Sequence, residues 1–488
     1  MKNFTAALTK LSQTNPQNLA LISDDVAYTY AQLDEAVWKL ATYMVASGVS
    51  KGDVICLRFA DDFLLALAYL AVGRIGGTGH VLPRGASLVQ QEIMARRVNS
   101  RMCLNGLDGG AQFDVNIPFS LEILQGLSVI DHNVMDNDPV FPWLIITGSG
   151  TTGEPKLIPI SQISLSQQFE MYASVLKPGP TDRVASLLSM ELGPGYWQML
   201  TSIFSGAAFC VLDKGGIQVG PWCMARGITI LGTVSGQLES LLHVAPGMLS
   251  NLRAIVPVGA PVSDSLRCRV QERLGDVLYI MYGATEVGAI CIATPQDVKS
   301  TPGTVGRALP GMRVEVVSDD DVPLPANQPG HVRITSEIAC STHYIGQEDY
   351  SKRIFRDGSI YPGDMGKLMS DGQLIHLGRS DDMLILNGLN IFPSEIETVL
   401  LAHPSIEDAV VRPARHPIFQ EIPIAAICLR DGTIECESEL LQYARERLGA
   451  RAPRRIFVLS EVPRTVQGKL DRKALADILR RDFEIEMS

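Results

Sequence analysis

Residues 142–161 read PWLIITGSGTTGEPKLIPIS. An apolar run of strand character reaches Thr147 and gives way to Gly148, Ser149, Gly150, Thr151, Thr152 and Gly153, with Lys156 just beyond. Small residues let backbone N–H groups approach an anionic oxygen closely. Hydroxyls add donors and the lysine adds charge, so the stretch reads as a phosphate loop. Residues 148–153 also satisfy GxGxxG, but a dinucleotide site needs those glycines to open directly into a helix. Here Pro155 is followed by Leu157-Ile158-Pro159-Ile160, a run of β character. Glu154, not lysine, follows Gly153, so the segment is not a Walker A loop either. Strand, loop and second strand are expected. A nicotinamide-dependent oxidoreductase rests on GxGxxG alone, and a glycine turn without a ligand is the plain alternative.

Working outward, apolar strand-like runs alternate with helical patterns through the first 380 residues, as in DVICLRF (53–59), FCVLD (209–213), ITILGTV (228–234) and LRAIVPV (252–258). That alternation predicts an α/β fold with largely parallel sheets. HVRITS (331–336) and short strands near Tyr361 and Leu374 come later. They are punctuated by Asp357-Gly358 and Asp371-Gly372, which suits antiparallel hairpins. The texture changes after Gly378-Arg379-Ser380-Asp381-Asp382. Residues 382–488 hold 14 Lys and Arg against 28 in the 381 residues before them, a shift that helps place a domain boundary near 380. The second part predicts helix 394–402, strands 408–412 and 423–429, helix 437–448, strand 455–459 and helix 472–481. No repeat of fixed period is present, which excludes a solenoid or propeller.

Composition narrows the function. The 488 residues carry a formal net charge of −11, so the general electrostatic footprint of a nucleic-acid binder is missing. Nine cysteines, an odd number with no CxxC pair, argue against a disulfide framework and a structural zinc site. Reduced thiols and a cytoplasmic location are expected. The first residues show no long apolar core of a secretion signal. The apolar run Phe63–Val72 is too short to span a bilayer.

Four further segments are ambiguous one at a time. Tyr282-Gly283-Ala284-Thr285-Glu286 could set a carboxylate against Mg²⁺ and phosphate, or start a helix capped by Thr285. Tyr361-Pro362-Gly363-Asp364 and Gly378-Arg379 could hold ribose hydroxyls, or be a turn and a surface ion pair. Lys469, in Pro463-Arg464-Thr465-Val466-Gln467-Gly468-Lys469-Leu470-Asp471-Arg472, could swing into a cleft or stay in solvent.

In order and spacing the five segments together resemble the adenylate-forming superfamily: acyl-CoA synthetases, peptide-synthetase adenylation domains and luciferases. The resemblance covers nearly the whole chain. YTYAQLDEAVWKLATYMVASGVSKGDVI (28–55), LAYLAVGRIGGTGHVLPRG (67–85), IVPVGAPVS (255–263) and GHVRITSEIACSTHYIG (330–346) also look like family segments. It implies a large N-terminal domain of layered α/β subdomains plus a small barrel-like β region (1–380), which binds ATP and acid. A small mobile α+β C-terminal domain (381–488) would follow, bearing the catalytic lysine. By this resemblance Ser149, Gly150, Thr151, Thr152, Gly153 and Lys156 orient the ATP pyrophosphate. Gly259, Ala260 and Pro261 lie against adenine, with Tyr282 stacking opposite and Gly283 beside it. Thr285 touches the α-phosphate and Glu286 binds Mg²⁺. Asp364 holds the ribose hydroxyls with Arg379, Asp381 is the hinge and Lys469 is catalytic. The implied reaction is adenylation of a carboxylic acid, then acyl transfer to a thiol.

The sequence departs from the family pattern at Leu157 for a usual Gly, Gln162 for a common His and Gln467 for a usual Asn. Little chain lies between Pro83 and Trp143. None of these removes an implied catalytic group. For the acid, the resemblance points to a pocket lined by about 189–198, 232–237, 257–260 and 281–288, where Gly193 and Gly195 would leave room and Tyr196 and Trp197 would give aromatic walls. Glu191 stands near the position used for a substrate amine, or is ion-paired. Fatty, aryl, hydroxy and amino acids stay open, with a lean to a small or aromatic acid. The chain ends 19 residues after Lys469. The expected acceptor therefore comes in trans, as CoA or the phosphopantetheine arm of a separate acyl or peptidyl carrier protein. LILNGLN (384–390) lacks the basic residue common in CoA ligases. Arg445, Arg447, Arg451, Arg454 and Arg455 could meet a CoA phosphate or an acidic carrier, or form a solvated face. The other readings are a standalone amino-acid-activating enzyme and a non-catalytic ligand-binding relative.

Overall fold

The computed structural model describes residues 4–107, 113–128, 140–148, 156–212, 218–338, 340–386, 389–416, 420–430, 432–465 and 470–483, with 485 and 487. A large N-terminal domain is followed by a small C-terminal one.

The first sheet runs in the order Val115–Pro118, Met102–Asn105, Val54–Arg58, Thr78–Val81, Pro142–Gly148, Lys156–Ser161. Its pairs are parallel except the last, which is antiparallel with Thr147 opposite Leu157. The segment after the glycine-rich loop is thus a hairpin strand, as the Pro155-to-Ile160 reading required. The apolar run Phe63–Val72 lies inside the helix Asp62–Ile75, whose residues from Phe63 to Ile75 are all buried. Asp61 caps it by accepting the Phe63 N–H at 2.6 Å, and Gly76 closes it at φ 72°. A Cβ on Gly73 would lie 2.4 Å from Cε2 of the fully buried Trp143, whose indole N–H donates to Tyr69 O at 3.0 Å. That close approach seats the strand Pro142–Gly148.

A second six-stranded sheet runs Ala254–Pro257, Ile230–Thr233, Arg183–Ser186, Ala208–Cys210, Leu19–Ile22, Ala27–Thr29. It is parallel except for its final pair. The third sheet has nine strands, all in antiparallel pairs. Phe355–Arg356 and Ser359–Ile360 turn through Asp357 (φ 52°) and Gly358 (φ 69°). Two consecutive positive φ values are what a two-residue hairpin turn demands.

In the small domain, strands Ile406–His416, Gln420–Leu429 and Arg455–Leu459 form one sheet. Period-two alternation sends Val411, Ala425, Ile427 and Ile456 to one face, with Ile396, Leu400 and Leu440 from the helices Pro393–Leu401 and Glu437–Leu448. Val410, Ala426, Cys428 and Phe457 go to the other face, with Leu475 and Leu479 of the helix Arg472–Phe483. These two cores are separate from that of the large domain, which extends from Phe4 to Leu374. Among the described residues no helix is long and apolar enough to cross a membrane.

Candidate active site

The site is assembled where the third sheet meets the two α/β sheets. Asp364 begins the strand Asp364–Leu368 and sits opposite Arg379 in the register of the neighbouring strand Gln373–Arg379. Its carboxylate is buried and accepts the Tyr282 phenol at 2.6 Å on Oδ2 and the Arg379 guanidinium at 3.2 Å on Oδ1. His376 Nε2 lies 3.7 Å from Oδ1. Burial pushes this carboxyl up, but the nearby His376 imidazole, the Tyr282 hydrogen bond and the charge of Arg379 outweigh it. They hold the carboxyl below the usual range. Arg379 also donates to Pro362 O. Gly363, at φ 80°, leaves the space that Arg379 fills, since a Cβ there would lie 2.9 Å from Nη2. The carboxylate keeps lone pairs for further hydrogen-bond donors. Tyr282 is buried, with its ring 5.4 Å from that of His376.

Glu286 lies in the turn between the strands Ile280–Ala284 and Gly288–Ala293, so YGATE is a β-hairpin and not the start of a helix. At Gly283 the register shifts, and a Cβ would lie 2.4 Å from Gly288 O. The backbone of Glu286 is held by the Ser341 N–H at 3.0 Å. Its carboxylate accepts the Tyr344 phenol at 2.5 Å. Burial and the Glu286 charge push the Tyr344 phenol well up, so it stays a donor. Tyr344 and Tyr350 pack with ring centres 5.3 Å apart. Lys156 Nζ donates to Tyr350 Oη at 2.6 Å and lies 4.1 Å from that ring's centre and 5.5 Å from Tyr344's. The lysine after the glycine-rich segment is thus linked through two tyrosines to Glu286.

Gly259 takes φ 85° after the strand Ala254–Pro257, and the Ser235 hydroxyl is shared between Ala260 O at 3.1 Å and Pro261 O at 2.9 Å. Thr285 lies in the same turn as Glu286. Asp381 sits in the single turn Ser380–Asp382, 3.8 Å from Arg379. Ser149, Gly150, Thr151, Thr152, Gly153 and Lys469 lie outside the described residues.

In the segment expected to meet the acid, Glu191 is the ion-paired residue of its two readings. Arg84 Nε lies 2.8 Å from its Oε1, and the Arg84 backbone N–H donates to the same oxygen at 3.0 Å. Arg84 also pairs with Asp62. Gly195 packs on backbone, because a Cβ would lie 2.3 Å from Ser189 O, while the space beside Gly193 is open. Tyr196 and Trp197 are buried in an aromatic cluster, with Trp197 4.3 Å from the Tyr172 ring and Tyr196 5.6 Å from Tyr69.

Sequence reasoning placed Ser235 within a pocket-lining range but missed Tyr344, Tyr350, His376 and Arg84 as supports of the site. Tyr344 stands in a segment quoted for its resemblance, but no local pattern connects it to Glu286. His376 reaches Asp364 only through strand register.

The chain matches the family model for AMP-binding enzymes over residues 8–341 and that for the AMP-binding enzyme C-terminal domain over residues 395–469. It is 25% identical over 482 residues to the 2-succinylbenzoate–CoA ligase of Bacillus subtilis, covering 96% of this chain and 97% of that protein. It is 27% identical over 492 residues to CymA of Salinispora arenicola, a probable non-canonical nonribosomal peptide synthetase, covering 95% of this chain and 6% of that protein. The fold matches that of ATP-bound MatB from Rhodopseudomonas palustris with a TM-score of 0.89 at 22% identity, covering 98% of this chain and 99% of that one. With a family model spanning most of its length and the small-domain model following in order, the chain belongs to the AMP-binding enzymes, the adenylate-forming superfamily.

Proposed function

We propose that the protein is an ATP-dependent acid–thiol ligase that forms an acyl-adenylate and pyrophosphate and then passes the acyl group to a thiol. The observation that carries this reading is the pairing of two carboxylate centres on the nine-stranded sheet. Asp364 is shaped to accept hydroxyls, and Glu286 is tied to Lys156 through Tyr344 and Tyr350. A nucleotide needs a ribose acceptor and a phosphate-neutralising end. A nicotinamide fold would instead open the glycine loop into a helix, whereas Lys156–Ser161 is a strand.

In the first half-reaction a carboxylate oxygen of the acid attacks the α-phosphorus of ATP, and the bond to the pyrophosphate oxygen breaks. Two anions must meet, so alignment and charge neutralisation dominate. Asp364 and Arg379 hold the ribose, residues 259–261 support the adenine and Thr285 faces the α-phosphate. Lys156 faces the leaving phosphates, and Lys469 bridges the acid and the nucleotide. The donor set at Glu286 fits Mg²⁺: one oxygen is engaged by Tyr344, and a hard anionic carboxylate keeps lone pairs for the ion. Bound there, Mg²⁺ would supply further neutralisation of the phosphates.

We place the domain boundary at 380/381, between Arg379 of the ribose site and Asp382. The Glu191–Arg84 pair weighs against an amino-acid substrate, because the carboxylate that would meet the amine is already neutralised. A small or aromatic acid is the favoured class. CoA and a carrier-protein arm both suit the thiol. The basic run gives neither an advantage, since Arg455 pairs with Glu437 at 2.7 Å and Arg451 lies 3.7 Å from Glu395. The test is acid-dependent ATP–pyrophosphate exchange across fatty, aryl, hydroxy and amino acids. Exchange should appear with one class and fall by about 10²–10³ in Lys469→Ala, the loss of about 3–4 kcal/mol of transition-state stabilisation. Exchange that survives in Lys469→Ala would overturn the role given to that lysine. The accepted acid is then offered CoA and carrier protein in turn.

A further inference from the structure

Asp382 stands immediately after the residue assigned as the hinge, and its carboxylate joins two distant parts of the small domain. One oxygen takes Arg412, on the strand Ile406–His416. The other takes Arg472 at 2.6 Å, in the first turn of the last helix. Both the carboxylate and Arg412 are largely buried, with side-chain exposures of 16% and 14%. Arg472 begins the helix three residues after Lys469 in sequence.

The neck of the segment carrying that lysine is closed by contacts among described residues. Arg464 and Leu470 form an antiparallel bridge, and the Asp471 N–H donates to Pro463 O at 2.9 Å. Arg464 places Nη2 2.8 Å from each carboxylate oxygen of Asp408. Asp471 caps the helix through the Ala474 N–H at 3.0 Å. The chain therefore leaves and returns at one point, and Asp382 ties that point to the first residues after the hinge.

We propose that Asp382 is a positioning residue for the adenylation step: through Arg472 and Arg412 it couples the hinge to the paired segments of the neck, 463–465 and 470–472, so that rotation at the hinge sets where the lysine arrives. Asp382 touches no reacting atom. The inference rests on the adenylation reading above. A plain surface ion pair would add stability without affecting where the neck sits, and exposed pairs contribute little. A misplacement of about 1 Å at a reacting group costs up to about a hundredfold in rate.

The test compares the full chain with Asp382→Asn, Asp382→Glu and Arg472→Gln, in pyrophosphate exchange and in backbone hydrogen exchange. Asp382→Asn should lower the exchange kcat by about ten- to a hundredfold while the KM for ATP stays within about twofold. Peptides covering 470–475 should exchange faster, and those covering 437–448 should not. Asp382→Glu should recover part of the rate. Arg472→Gln should repeat the pattern with the Arg412 pair intact, and it substitutes if Asp382→Asn fails to fold. Unchanged protection at 470–475 overturns the proposal whatever the activity does. So does faster exchange throughout the domain, or a loosened neck with an unchanged kcat. If the wild-type chain supports no exchange with any acid, the functional reading falls, and the hydrogen-exchange arm still decides whether Asp382 holds the neck.

Discussion

Asp364 in the large domain and Glu397 in the small one are both enclosed carboxylates, and they are shifted in opposite directions. Asp364 has a phenol at 2.6 Å, a guanidinium at 3.2 Å and an imidazole nearby, and these hold its carboxyl below the usual range against the effect of burial. Glu397 in the small domain has one backbone donor, the Val411 N–H at 2.9 Å. Asp408 and Asp382 face it together with Arg464, and burial pushes its carboxyl up to about 7. Burial acts in the same direction on both, and the partners decide the sign. In the large domain the donors converge on the Asp364 carboxylate. The small domain distributes its arginines to the neighbouring aspartates, and Glu397 is left on the edge of that network.

The strongest test of the contrast removes the anion that its partners were built for. Asp364→Ala leaves Tyr282 and Arg379 facing an empty position. The KM for ATP should rise by about a hundredfold, or roughly 3 kcal/mol, with the acid KM far less affected. Equal losses for both substrates would mean that the ribose site had collapsed. Next, Tyr344→Phe removes the donor to Glu286 while keeping the ring beside Lys156. The exchange rate should drop about tenfold, or roughly 1.5 kcal/mol, most sharply at limiting Mg²⁺. A loss that is the same at every Mg²⁺ concentration would detach Glu286 from the ion. Tyr282→Phe should cost about fivefold in the KM for ATP, near 1 kcal/mol, and should let the Asp364 carboxyl titrate at a higher pH. A carbon-13-labelled aspartate titration reads this directly, and an unmoved Asp364 signal would show that the phenol contributes nothing to holding it down.

The smallest effect separates the two carboxylates by pH. Unfolded Glu397 titrates near about 4.3. Between there and about 7 the folded state holds more of its proton than the unfolded state does. Its contribution to stability is therefore fully present below about pH 4.3 and is lost as pH rises through about 7. Asp364 behaves oppositely: its contribution is present above the unfolded aspartate value and is lost as pH falls through its lowered folded value. Glu397→Gln should flatten the small-domain stability profile between about pH 5 and 7 and leave the acid limb alone. Denaturant unfolding at several pH values checks this, and an unchanged slope in that window would remove Glu397 as its source.

Local signals in the chain carry much of the fold. The helices and strands of the small domain fall close to where the sequence places them, because period-two alternation at Val410–Val411 and the i, i+4 spacing of Leu475 and Leu479 are local. The hairpin at Asp357-Gly358 is readable because few residue pairs accept two positive φ values in succession. Asp364, Arg379 and Glu286 stand out by residue type, in turn sequences. Their partners do not: Tyr344, Tyr350 and His376 are ordinary residues until the sheet brings them into reach.

The order of the chemistry-bearing segments, their resemblance to the adenylate-forming superfamily and the alternation that builds two α/β sheets are all legible along the chain. Only the folded arrangement made YGATE a hairpin, spent Glu191 on Arg84, linked Lys156 to Glu286 through two tyrosines and set Asp382 to clasp Arg472. Each of these depends on strand register or on contacts between residues tens to hundreds of positions apart. A one-residue change of register would turn the same side chains to the other face.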